Sequence, residues 1–179
     1  MIFAQRRARR ASKVIIEQLR GEIVAAARRP ALYEALAAPD RLDGRFELLA
    51  LHAGLVLRRL VAIGGLADHV AQDLVNSLFM HFDDTLREMA LSDIAVSKRL
   101  KTMREAFYGR NAAYGAALDS GSRADLAAAL ARNVYGGRDG AAKSAALAAY
   151  VEGLDAALAA TPIEDFITGQ FRYPEAQIA

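Results

Sequence analysis

An all-α fold, a single compact helical bundle of six to eight helices with short connections, is what this sequence predicts. Three observations carry that expectation. Alanine supplies 39 of the 179 residues, and it is the strongest intrinsic helix former and a poor strand former. Apolar residues recur at spacings of three and four along most of the chain, with no strand-length alternation. Cysteine and tryptophan are absent, and the missing cysteine excludes a disulfide scaffold, a Cys-ligated zinc or iron–sulfur site and thiol catalysis. With 54% hydrophobic residues and 4 prolines, the chain has material for a sizeable core and is not composed like a disordered one.

Ser12 reads as the cap of a first helix running to about Ala27, with Val14, Ile15, Leu19, Ile23, Val24 and Ala27 as its apolar stripe. Pro30 ends it, and a short helix follows over Ala31–Ala37 before the Asp40–Gly44 turn. Arg45 to about Ile63 is the strongest core candidate. Phe46, Leu49, Ala53, Val56, Leu60 and Ile63 form one line, Leu48, Leu51 and Leu55 a second, and a helix apolar on two sides is buried centrally. Gly64-Gly65 breaks it. The next helix runs from about Ala67 to Met89, lined by Val70, Leu74, Leu78, Phe82, Leu86 and Met89, with Val75 and Phe79 beside them.

Ser92-Asp93 caps a helix from about Ala95 to Leu118, whose stripe is Val96, Leu100, Met103, Phe107, Tyr114 and Leu118. Its exposed side is basic, with Lys98, Arg99, Lys101, Arg104 and Arg110. Ser122 with Asp125 approximates a capping box for a helix to about Val134. A glycine-rich loop over residues 136–140 leads to an alanine-rich helix, Ala141–Leu158. Thr161-Pro162 reads as a cap followed by proline at the first helical position, opening a last short helix to about Phe171. Three segments result: a basic head with its amphipathic helix over 1–29, an all-α body over 30–172, and a loose tail from Tyr173 to Ala179.

The net charge of +2 conceals a division. Residues 1–29 hold eight basic and two acidic residues, a net of +6, and the remaining 150 are net −4. A basic head suits an anionic membrane surface, nucleic acid or an acidic partner, and Arg6, Arg7, Arg9 and Arg10 are its membrane-contact candidates. It is not built like a secretory signal, because Glu17 cuts the apolar stretch Val14-Ile15-Ile16. No stretch approaches the ~18 apolar residues that span a bilayer. A cytoplasmic protein, at most peripheral to the inner membrane, is expected.

The residues offer no catalytic constellation. His81, Asp84 and Glu88 share a helix face, and a metal site is one reading of them, but one histidine and two carboxylates on one helix are more often a solvated face. The three histidines lack a glutamate three residues before them, and no His-Glu-x-x-His occurs. His52 lies in an apolar run and reads as a hydrogen-bonded core residue or a partner contact. Asp83 and Asp84 diverge by about 100° on a helix and form no acid/base pair. No phosphate loop or serine elbow is present, so neither enzyme activity nor a cofactor is expected. Two alternatives stay open from the residues alone: a small helical metal- or haem-binding protein, and a ribosome- or nucleic-acid-binding module acting through the basic head. DNA is not an expected partner.

One stretch is more specific. Asp83-Asp84-Thr85-Leu86-Arg87-Glu88-Met89, then Ser92-Asp93-Ile94-Ala95-Val96-Ser97-Lys98-Arg99-Leu100-Lys101, Met103 and Glu105-Ala106-Phe107-Tyr108-Gly109-Arg110, resembles the ubiquinol–cytochrome c chaperone family. Leu32-Tyr33, Asp43-Gly44-Arg45-Phe46-Glu47 and Leu51-His52 are similar to the same family's opening motif. The resemblance covers roughly residues 30–120, and the last third matches only in helical character. Ala90 and Ser97 depart from the family's common glycine and proline. The resemblance implies a non-enzymatic assembly factor for ubiquinol–cytochrome c oxidoreductase that accompanies newly made cytochrome b until it takes up haem and joins the complex. It also implies, for mitochondrial relatives, a small co-chaperone and work near the ribosome. The lack of a presequence before Arg6 fits a bacterial protein.

Such a role needs a surface. Asp83, Asp84, Glu88 and Asp93 are expected to meet the positive loops of a membrane-protein client. Arg45, Arg87, Lys98, Lys101 and Arg110 are expected to meet acidic ends or headgroups. Of the neighbours Phe107 and Tyr108, one is expected in the core and Tyr108 is the client-contact candidate. The competing reading is that these charges pair with one another and lock the helix–turn–helix angle.

Overall fold

The computed structural model describes residues 2–89, 91–137 and 141–177, with side chains described from Ser12 onward except at Ala141. The side chains of Arg6, Arg7, Arg9 and Arg10 therefore lie outside the described residues, as do Ala90 and residues 138–140 of the glycine-rich loop. Among the described residues there are eight helices and no strand: α1 (Ile2–Ala27), α2 (Pro30–Glu34), α3 (Leu42–Ile63), α4 (Leu66–Glu88), α5 (Asp93–Asp119), α6 (Arg123–Asn133), α7 (Ala141–Ala160) and α8 (Ile163–Thr168). The all-α expectation holds. No helix among these residues is long and apolar enough to cross a membrane.

The capping chemistry explains most boundaries. Ser122 Oγ accepts from the Asp125 backbone N–H at 3.2 Å and opens α6, and Ser92 Oγ takes the Ala95 N–H at 3.4 Å at the start of α5. Gly64 and Gly65 both hold left-handed backbone, φ 70° and 63°, which is why that pair separates two long apolar helices.

Several boundaries differ from expectation: α2 ends at Glu34 and not at Ala37, α3 begins at Leu42 inside the expected Asp40–Gly44 turn, and α8 ends at Thr168 before left-handed Gly169 and not near Phe171. Two expected caps also fail. Ser12 caps nothing: α1 starts at Ile2 and runs through it, because the intervening Ala and Arg residues are strong helix formers. Thr161 does not cap α8 either. Its hydroxyl donates back to the Ala157 carbonyl at 3.1 Å, and Pro162 occupies the cap position without a side-chain bond.

The chain forms two compact units. One comprises Met1–Glu22, Leu60–Glu105 and Pro162–Arg172; the other comprises Ile23–Arg59, Ala106–Thr161 and Tyr173–Ala179. In the first, α4 buries Leu74, Leu78 and Phe82, α1 buries Ile16 and Leu19, and α5 buries Val96 and Met103. α8 packs on α4, and its Phe166 stacks on Phe171 with ring centroids 4.7 Å apart. In the second, α3 buries Leu48, Leu51, Leu55 and Val56, while α6 packs along α7, which buries Leu147, Tyr150, Val151 and Leu154. Each fully buried aliphatic side chain contributes roughly 1.5–3 kcal/mol.

The α1 stripe is rotated from its expected line. Val14 is 67% exposed, and the buried residues are Ile16, Leu19, Ile23, Ala26 and Ala27. Three adjacent β-branched residues, Val14 to Ile16, fit two helical lines equally well, and packing selects the one through Ile16. The segment expected to be loose is tied at its start. Tyr173 is 5% exposed, and the carbonyls of Tyr173 and Pro174 accept from the Arg29 guanidinium at 3.4 and 3.2 Å.

Candidate functional site

The charged block is centred on the turn between α4 and α5. Arg87 Nε donates to Asp83 Oδ2 at 2.8 Å along α4, and its terminal nitrogen donates to Asp93 Oδ1 at 2.6 Å across the turn. The two carboxylates raise the Arg87 guanidinium further above its usual range. Three of the residues picked out in the sequence thus form one bridge spanning helix, turn and helix. Asp84 and Glu88 stand exposed on α4, and among the described residues neither takes part in an ion pair.

Beside the bridge lies an open groove of about 450 Å³. α4 supplies Asn76, Phe79, Met80, Asp83 and Asp84, and α5 supplies Leu100 and Arg104. The Arg104 guanidinium lies 4.3 Å over the Phe79 ring centroid, a cation–π contact that fixes one wall. Met80 is 68% exposed at the rim. The groove draws on residues that periodicity assigned elsewhere. Leu100, placed in the core stripe of α5, is only half-buried and lines the groove. Met80 is the residue sequence reasoning missed; the signal was a large apolar side chain off the stripe, among Asn76, Asp83 and Asp84.

The remaining candidates separate into two environments. Lys98 is exposed, and Lys101 makes an exposed 3.9 Å pair with Glu105; both belong to the unit that holds the groove. Arg45, Tyr108 and Arg110 belong to the other unit. Arg45 pairs with Asp40 at 2.7 Å on the surface. Arg110 is directed inward, 2.5 Å from Glu47 and 5.7 Å over the Phe46 ring centroid. Tyr108 is 51% exposed while its neighbour Phe107 is buried.

His52 is a core residue. Its Nδ1–H donates to the Leu48 carbonyl at 2.7 Å, and since a carbonyl only accepts, Nε2 is the acceptor for the Tyr150 hydroxyl at 3.0 Å. The Tyr173 hydroxyl donates to the His52 carbonyl at 3.0 Å. Complete burial pushes the imidazole down to about 4, so it is neutral. His81, Asp84 and Glu88 do not assemble into a ligand set: among the described residues no group of three His, Asp or Glu is placed to hold a metal ion.

Comparison with known proteins gives the family. The family described as Ubiquinol-cytochrome C chaperone matches residues 34–173. The chain belongs to this family. The match extends well beyond residue 120, so the last third carries family sequence as well as helical character. Among solved structures, the crystal structure of the Cbp3 homologue from Brucella abortus is 35% identical, covers 98% of this chain and 97% of that one, and superposes with a TM-score of 0.87. No curated protein sequence matches.

Proposed function

We propose that this protein is a non-enzymatic assembly chaperone that binds newly made cytochrome b and supports maturation of ubiquinol–cytochrome c oxidoreductase. The observation that carries the reading is the family match over residues 34–173, which takes in the Asp83–Arg110 block and the Asp43–His52 part of the opening motif. The geometry is in keeping with such a role, since it offers an open, mixed apolar and charged face. The client-contact residues of this reading are Asp83, Asp84, Arg87, Glu88, Asp93, Lys98 and Lys101 in one unit and Arg45 and Tyr108 in the other, whereas Arg110, expected from the sequence to join them, is turned onto buried Glu47. Arg6, Arg7, Arg9 and Arg10 are assigned to an anionic membrane surface, where about 1 kcal/mol per basic residue gives weak, salt-sensitive attachment.

Deletion of the gene, followed by measurement of assembled complex and haem-loaded cytochrome b, tests the function. Loss of both is expected. Normal levels of both refute it.

A further inference from the structure

We infer that the α4–α5 groove seats a client segment carrying a lysine or arginine beside an aliphatic residue. The inference rests on the chaperone reading and deepens it by naming the chemistry of what is bound.

The accessible apolar surface of the groove is Met80, which projects into water, with half-buried Leu100 facing it; Phe79 is buried beneath the Arg104 guanidinium. Methionine suits a contact surface, because an unbranched, polarisable side chain repacks against whatever shape it meets.

Charge then selects the neighbour of the client's aliphatic group. Asp84 and Glu88 follow Met80 by one and two turns on the same exposed face of α4. They occupy the last turns of the helix, where the macrodipole is already negative, so both carboxylates are placed against the dipole. Arg87 relieves this in part, but it is engaged by Asp83 and Asp93. A cation delivered by a partner relieves the rest. On the opposite wall Arg104 is held over Phe79 and repels a second cation. The client's basic residue is thereby sorted to the Asp84 side, with its aliphatic neighbour between Met80 and Leu100. An anionic lipid surface is poorly matched, because its phosphates would face Asp84 and Glu88.

The test compares the full-length protein with Asp84→Lys and Met80→Ser. Its probes are cytochrome b co-purified from membranes, a synthetic helical peptide of Leu and Lys at four-residue spacing, and the same peptide with Glu for Lys. Both substituted side chains are exposed, so unchanged melting curves are expected alongside about a tenfold loss of Lys-peptide binding. Asp84→Lys should gain affinity for the Glu peptide, and capture of cytochrome b should fall in parallel. Wild-type capture that both variants retain in full overturns the groove as the seat and leaves the chaperone reading standing. If the wild type captures no cytochrome b, the chaperone reading fails, and Lys-peptide binding that depends on Asp84 still upholds the groove's chemistry. Absence of that binding overturns the inference. So does flotation on anionic vesicles that Met80→Ser abolishes while the peptides do not bind.

Discussion

Arg110 Nε stands 2.5 Å from Glu47 Oε2, joining the Asp43–Glu47 block of α3 to the Glu105–Arg110 block of α5. The same guanidinium lies over Phe46. Glu47 is buried, and burial pushes its carboxyl up to about 7 against the pull of Arg110. The opening motif and the Ala106–Arg110 end of the second block are therefore also a structural contact within one unit.

Glu47 should make stability fall with rising pH. Its folded value of about 7 exceeds the ordinary 4.5 of the unfolded chain, so the folded state holds the proton more tightly. The stabilisation is complete below pH 4.5 and is lost as pH rises through 7, with a ceiling of about 3 kcal/mol. The difference in urea unfolding free energy between wild type and Glu47→Gln should change between pH 5 and pH 8 in the direction of this loss, the wild type losing ground to the variant as pH rises; a difference that stays constant refutes the assignment.

His52 should act in the opposite sense. Its folded value of about 4 lies below the ordinary 6.5, so the unfolded chain takes up the proton first. Stability is complete above pH 6.5 and is lost as pH falls toward 4, by about 3 kcal/mol in full. Between pH 4.5 and 6.5 the two groups oppose each other. A flat wild-type profile that becomes sloped in Glu47→Gln, rising with pH, is the expected result.

Tyr173 should shield His52. Its ring lies 5.4 Å from the imidazole, centroid to centroid, and its hydroxyl bonds the His52 carbonyl. Tyr173→Ala should cost about 3 kcal/mol in a folded-state cavity, and an NMR titration should find His52 shifted up from about 4. An unmoved titration would show that the tail does not keep water from the imidazole.

Gly54 should resist replacement despite being helical. A β-carbon there would stand 1.9 Å from Asn111 Oδ1. Gly54→Ala gains about 1 kcal/mol in helix propensity but overpacks at a cost of about 1–3 kcal/mol, so net destabilisation is expected. In an Asn111→Ala background the sign should reverse. Chemical denaturation of the four proteins decides it.

Arg87 should govern the turn and leave the fold intact. Arg87→Met removes both arms of the bridge to Asp83 and Asp93, yet all its partners are surface groups and such pairs contribute little globally. Unchanged circular dichroism is expected, with faster hydrogen exchange confined to Leu91–Ile94. Uniformly faster exchange would instead make the bridge a determinant of the whole fold.

The helical class, the break at Gly64-Gly65 and the caps at Ser92 and Ser122 were legible in the sequence because each is a local property. Alanine propensity, left-handed glycine and a hydroxyl three residues before a free N–H act within one or two turns. α3 and α4 were legible for the same reason: α3 is apolar on two sides and needs no choice of face, and the apolar residues of α4 are numerous enough to leave one. At Val14–Ile16 the choice is twofold, and packing buries Ile16 and leaves Val14 exposed. Thr161 had two partners within reach of its hydroxyl, and the preceding carbonyl prevailed over the helix it was expected to open.

What the sequence by itself determined, then, is an all-α chain with its breaks in place and a charged helix–turn–helix of recognisable family. Tertiary structure alone decided how those charges are used. It turned Arg110 onto buried Glu47, gave Arg87 both Asp83 and Asp93, left Asp84 beside an exposed Met80, and drew Tyr173 onto His52. The physical reason is that periodicity fixes which residues share a face, whereas the partner of a charge or hydroxyl is set by distances between segments far apart in the chain.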